Sequence, residues 1–90
     1  MNAQYTVTAL TEHENSSLLR LIAAMGRHRI RIERYSCTTS NSGATYKHVL
    51  TVRARAESIR RAAKQIGGYV GVLGICYRSL EETVNSEMAG

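Results

Sequence analysis

The apolar residues of this chain switch period along its length, from two to about three and a half and back, and they do so twice. Few folds are compatible with that pattern. Tyr5, Val7 and Ala9 alternate with Thr6, Thr8 and Leu10, as in a half-buried strand rich in β-formers. Leu18, Leu21, Ile22 and Met25 then recur at i, i+3, i+4 and i+7, which sets them on one helical face. Asn15, Ser16 and Ser17 stand just before that period begins, and their side-chain oxygens suit an N-cap. The helix is expected to end around Gly26 to His28. Ile30 and Ile32 open a second strand, while Tyr35 and Cys37 continue it on the opposite parity. The strand therefore bulges, or starts only after Ile32.

Thr38 to Gly43 is made of turn residues and reads as a hairpin loop, after which Tyr46, His48, Leu50 and Val52 alternate down a third strand. Glu57 opens a second helix, buried through Ile59, Ala62, Ala63 and Ile66, with Arg60, Arg61 and Lys64 towards solvent; Gly67-Gly68 stops it. Val70 to Tyr77 is the fourth strand, apolar on both parities. The order is βαββαβ, a ferredoxin-like α+β arrangement: a four-stranded antiparallel sheet with two helices on one face. Residues 1–78 form one domain on this reading, and residues 79–90 are an acidic, flexible tail. The doubly apolar fourth strand, with Tyr35 and Leu10 off the helix-packed set, implies that something covers part of the open face. Self-association through an edge strand would do so.

With 90 residues and 43% hydrophobic content the chain can bury one modest core, and no apolar run approaches a membrane span of ~20 residues. The first strand begins so early that no signal or transit peptide is expected. Cys37 and Cys76 lie far apart without a C-x-x-C pattern, and read as reduced, core-type residues of a cytoplasmic protein. Charge is uneven. Residues 1–78 hold all 12 Lys and Arg against four acids (Glu12, Glu14, Glu33, Glu57), a balance of +8, whereas the tail carries −3. A basic body suits an anionic partner: nucleic acid, an acidic protein surface or a small acid.

No catalytic constellation is visible. Ser16, Ser17, His13 and Glu14 lack a strained Gly-flanked serine and a separate base with an orienting acid. His13, His28 and His48 with the two cysteines match no metal-ligand spacing. His48 falls on the apolar parity of its strand, so a hydrogen-bonded core histidine is the favoured reading. An RNA-recognition module on the same fold would stack bases on strand aromatics, yet only Tyr5 and Tyr46 are on offer; the residues argue against nucleic acid. The run Arg27-His28-Arg29-Ile30-Arg31 is either an anion patch or a solvated junction.

Free backbone N–H groups at the start of the first helix make a seat for a carboxylate, so the loop before it is the candidate sensing site. Thr11-Glu12-His13-Glu14-Asn15-Ser16-Ser17-Leu18-Leu19-Arg20-Leu21, then Ile32-Glu33, then Lys64-Gln65-Ile66 followed by Val70-Gly71-Val72-Leu73, resemble three motifs of the ACT domain. Within it they are similar to the small regulatory subunits of acetohydroxyacid (acetolactate) synthase, here in a short, single-domain form. The resemblance covers roughly residues 4–78. It implies a non-catalytic subunit that binds and activates the catalytic subunit in branched-chain amino acid biosynthesis and carries no cofactor itself: thiamine diphosphate, a divalent metal and flavin would belong to the large subunit. It also implies a homodimer, and an amino-acid effector at positions matching His13, Asn15, Ser16, Ser17, Leu18 and Arg31. Three of these depart from the feedback-sensitive pattern. His13 and Arg31 replace asparagines, and Ser16 replaces a glycine that lets backbone approach a ligand. Weak or no response to valine is expected, or else a different carboxylate held by Arg31. A free-standing amino-acid sensor with another partner is the alternative.

Overall fold

Six elements follow in the expected order in the computed structural model, which describes residues 2–12, 16–40 and 42–80. They are β1 (Ala3–Glu12), α1 (Ser16–Arg27), β2 (Arg31–Thr39), β3 (Thr45–Ala54), α2 (Ala56–Gly67) and β4 (Val72–Ser79). The strands form one sheet in the order β2-β3-β1-β4, antiparallel throughout. The acidic tail beyond residue 80 lies outside the described residues. β4 starts later than its apolar run suggests. Gly71 takes φ 91°, a left-handed turn that glycine adopts without strain, and its carbonyl accepts from the Glu12 N–H at 2.8 Å. Val70 is thereby left in the turn, 88% exposed.

The core lies between the sheet and the two helices. Tyr5, Val7 and Ala9 of β1 and Leu50, Val52 and Ala54 of β3 are buried on the helix side, as their alternation requires. From α2, Ile59, Ala62 and Ile66 pack down on them, while Ala63 is only half-buried. From α1 the buried set is Leu21, Ala24 and Met25; Leu18 is half-buried and Ile22 is 45% exposed. The expected stripe is therefore rotated, because a small Ala24 lets α1 approach the sheet where a purely hydrophobic count favoured Ile22. Burying a side chain the size of Leu21 or Ile59 fully contributes about 2 kcal/mol.

Two irregularities settle the parity puzzles of the edge strands. Between Ile32 and Arg34 the β2–β3 register shifts by one residue, leaving Glu33 extra. Ile32 stands opposite Val52 and Tyr35 opposite Leu50, so both are on the helix side. Tyr35 is thus not off the helix-packed set; it lies on that face, beyond the reach of the helices. A second shift, at Leu10/Thr11 opposite Val72 to Gly74, leaves Leu73 extra and puts Val72 and Ile75 on the same side. The doubly apolar look of β4 comes from this slip. Its open face carries Gly74, Cys76 and Arg78, so the sequence argument for a covered open face loses most of its support. Cys37 and Cys76 are both exposed rather than core residues, Cys37 because no helix covers β2 and Cys76 because it sits on the open face.

α1 closes with a Schellman arrangement. The Arg29 N–H donates to the Gly26 carbonyl (3.1 Å) and the Ile30 N–H to that of Met25 (2.9 Å), with Ile30 and Met25 both buried. The residue that turns the chain is Arg29, at φ 58°, where a side chain strains the backbone. Arg29→Gly is expected to stabilise the fold by about 1 kcal/mol, since glycine takes this conformation freely but loses more entropy on folding. Thermal melts of the two proteins check this.

Candidate functional site

Among the described sensing positions, Arg31 stands apart from Ser16, Ser17 and Leu18 within one chain. His13 and Asn15 lie outside the described residues. Ser16 begins α1, followed by Ser17, buried, and Leu18, half-buried. These sit where β1 ends at Glu12. Arg31, exposed, opens β2 at the level of Arg53, which stands opposite Gln4 near the start of β1. Gln4 and Glu12 are eight residues apart along β1, so Arg31 is about 26 Å from the end of β1 at ~3.3 Å per residue. Its neighbours are Glu33, Arg53 and Gln4. The Glu33 carboxylate accepts from the Gln4 amide (3.0 Å) and the Arg53 guanidinium (3.3 Å). Those two bonds, Gln4 first, hold its carboxyl below the usual range, with Arg31 adding a weaker field.

What the loop end of the sheet does assemble is a network around His48. One ring nitrogen, Nε2, is 2.9 Å from Thr11 Oγ1, and the other, Nδ1, is 2.8 Å from the Tyr35 hydroxyl. A neutral imidazole donates through one nitrogen and accepts through the other, and both hydroxyls can take either role. Tyr35 and Tyr46 stack on either side of the strand position, with ring centroids 5.9 and 6.3 Å from that of His48. His48 and Thr11 are buried, 4% and 0% exposed. Burial lowers the His48 pKa from its ordinary value, favouring the neutral ring. The Tyr35 phenol is pushed up to about 12, first by desolvation and then by Cys37 beside it.

The core reading of His48 therefore describes what is seen, and its partners were half-legible. Thr11 continues the parity of Tyr5, Val7 and Ala9. Tyr35 could be placed only by choosing the bulge. The cluster is a buried network near the end of β1 in which both imidazole nitrogens are engaged by hydroxyls. Among the described residues no group of three or more His, Cys, Asp or Glu side chains could hold a metal, and no helix is long and apolar enough to cross a membrane. Tyr5 is a core residue and Tyr46 stands opposite Thr11 on the helix side. Neither faces outward on the open side, where β1 presents Thr6, Thr8 and Leu10 and β3 presents Lys47, Val49, Thr51 and Arg53. The base-stacking platform of an RNA-recognition module is not built here.

No family model matches the chain, and no curated protein matches it. Solved structures do. The ACT domain of a GTP pyrophosphokinase from Chlorobium tepidum superposes with a TM-score of 0.72 at 8% identity, over 87% of this chain and 100% of that one. A homoserine dehydrogenase from Thiobacillus denitrificans gives 0.75 at 11% identity over 88% of this chain, which spans 17% of that protein. The acetolactate synthase small subunit from Thermotoga maritima gives 0.70 at 16% identity, over 82% of this chain and 46% of that one. The chain has the ferredoxin-like fold of ACT domains.

The neutral His48 makes stability pH-dependent. Its folded pKa lies below the unfolded value, so its contribution is complete above about pH 6.5, and declines as pH falls from there towards the folded pKa. Melting temperature should drop on acidification through this window. His48→Gln should lose that component of the slope, whatever its effect at pH 7.

Proposed function

We propose that this chain is a non-catalytic regulatory subunit that binds and activates the catalytic subunit of acetolactate synthase, with weak or no feedback by valine. The observation that carries the reading is the order of three sequence motifs along an ACT-like fold. The first runs from the end of β1 into α1, the second lies on β2, and the third joins the last turn of α2 to β4. A structural likeness to one acetolactate synthase small subunit supports it. Thiamine diphosphate, a divalent metal and flavin would reside on the large subunit, and this chain would supply contact and positioning only.

The open face is suited to that contact. Arg34, Lys47, Arg53 and Arg78 stand there among Thr6, Thr8 and Thr51, an arrangement complementary to an acidic protein surface. A homodimer would explain how Arg31 serves an effector site from which it lies so far in its own chain. β2 is a free edge, and two-fold antiparallel pairing of two such edges would bring Arg31 of one copy to the end of the sheet that carries its partner's β1–α1 loop. Arg31, with donors only, would then meet a carboxylate rather than a neutral amide. A free-standing amino-acid sensor of the same fold is the second reading, favoured by the hydroxyl and imidazole cluster beside the loop.

Titrating this protein into the cognate large subunit should raise acetolactate formation to a plateau, and added valine should leave most of that rate intact. Lys47→Glu combined with Arg78→Glu should raise the half-saturating concentration about tenfold or more. Absence of both activation and co-purification removes the subunit role. Sedimentation at twice the 10.0 kDa chain mass is expected, and a monomer at working concentration would rule out the composite effector site.

A further inference from the structure

At the end of the sheet remote from the β1–α1 loop lies a cavity of about 420 Å³, lined by Asn2, His28, Arg29, Arg55 and Ser58. It collects the residue before β1, the turn that follows α1 and the start of α2. Neither the Arg29 nor the Arg55 guanidinium has an ion-pair or hydrogen-bond partner among the described residues. The acid nearest Arg55 in sequence, Glu57, is engaged down its own helix with Arg61 at 2.7 Å and Arg60 at 3.8 Å, and the one nearest Arg29, Glu33, is held by Arg53 and Gln4. His28 is fixed from the other side. Its Nε2 lies 2.7 Å from the Gln65 side-chain oxygen Oε1, while the Gln65 side-chain amide donates to the Tyr69 hydroxyl. The His28 Nδ1 is left for the cavity.

Both arginines occupy positions where local structure disfavours them. Arg29 sits at φ 58°, the position after a helix that glycine fills without strain. Arg55 is the N-cap of α2, has no acceptor to offer, makes no capping hydrogen bond, and sets a positive charge at the positive end of the helix dipole. Each would be replaced to advantage by Gly or by Ser if folding alone mattered. Two such departures meeting in one cavity mark a site shaped by its ligand rather than by the fold.

We infer that this cavity binds a small phosphate monoester. Two uncompensated guanidiniums match the charge of a phosphate dianion near neutral pH, and their fixed forks suit its oxygens. The Ser58 hydroxyl and the free N–H groups of the uncapped first turn add donors around the same point. The volume exceeds what a bare phosphate fills, and the Asn2 amide and His28 Nδ1 can serve hydroxyls on the organic remainder. The site is independent of the β1–α1 loop and of the acetolactate synthase reading.

The test is an amide-resolved NMR titration of the intact chain with glycerol 3-phosphate, against acetate and chloride at matched ionic strength. Saturable shifts at Arg29, Arg55 and Ser58 are expected with the phosphate ester alone. Arg29→Gly and Arg55→Ser should each weaken binding about tenfold or more, as loss of a charged hydrogen bond does. Yet both variants should melt no lower than the parent, Arg29→Gly by about 4 °C higher. Loss of binding in proteins that gain stability cannot be assigned to misfolding. Linear shifts, equal shifts with acetate, or unchanged affinity in both variants would overturn the site. So would binding of a short RNA oligomer with no response to the ester, which would assign these cations to a nucleic-acid backbone.

Discussion

A strand turns alternate side chains to opposite faces, so one inserted residue exchanges every assignment that follows it. In β2 that residue is Glu33, and the face that every later side chain of the strand presents depends on its being held. Its carboxylate reaches Gln4 on β1 and Arg53 on β3, which ties the edge strand to both central strands at the point of the slip. Were the extra residue moved elsewhere along β2, Tyr35 would turn to the open face and His48 would lose one of its two partners. The exposed ion pair itself is worth little in water. Its importance is geometric: it selects which of two sets of side chains meets the core.

The topology was legible because the period of the apolar residues is strong in β1, β3 and α2, where a layer packs fully against its neighbour. The edges were not. Period-two reasoning misplaces Tyr35 in β2 and Val72 in β4 because it assumes an unbroken strand, and both edges bulge. Ile22 was placed in the core because counting hydrophobicity ignores how closely Ala24 lets the helix approach. The hydrogen-bonded state of His48 could be read from parity, but its partner Tyr35 lies 13 residues away across a turn and a bulge. Arg29 and Arg55 could not be recognised as a pair from the sequence, since 26 residues and two strands separate them.

The two ends of the sheet differ in chemistry. At the β1–α1 end, Thr11, Tyr35, Tyr46 and His48 supply neutral hydrogen-bonding groups against a buried wall. At the opposite end, the turn after α1 and the N-cap of α2 supply charge without local compensation. The helices run between the two and pack on the same central strands. Both ends border one continuous core, to which Leu21, Met25, Ile59 and Ile66 belong.

β2 has a further consequence. Nearly all of its side chains are exposed, with only Ile32 half-buried. The strand is held by its backbone ladder to β3 and by three side-chain ties, at Ile32, Glu33 and Tyr35. Its detachment would expose little apolar surface, so the free energy needed to open it is well below that of the whole domain. Amide exchange would report this as a cooperative unit of its own, with β2 losing protection while β1, β4 and both helices retain theirs. In that open form the outer edge of β3 becomes the template, able to take back its own strand or one from another molecule. Strand exchange between copies is then the natural failure of this fold at high concentration.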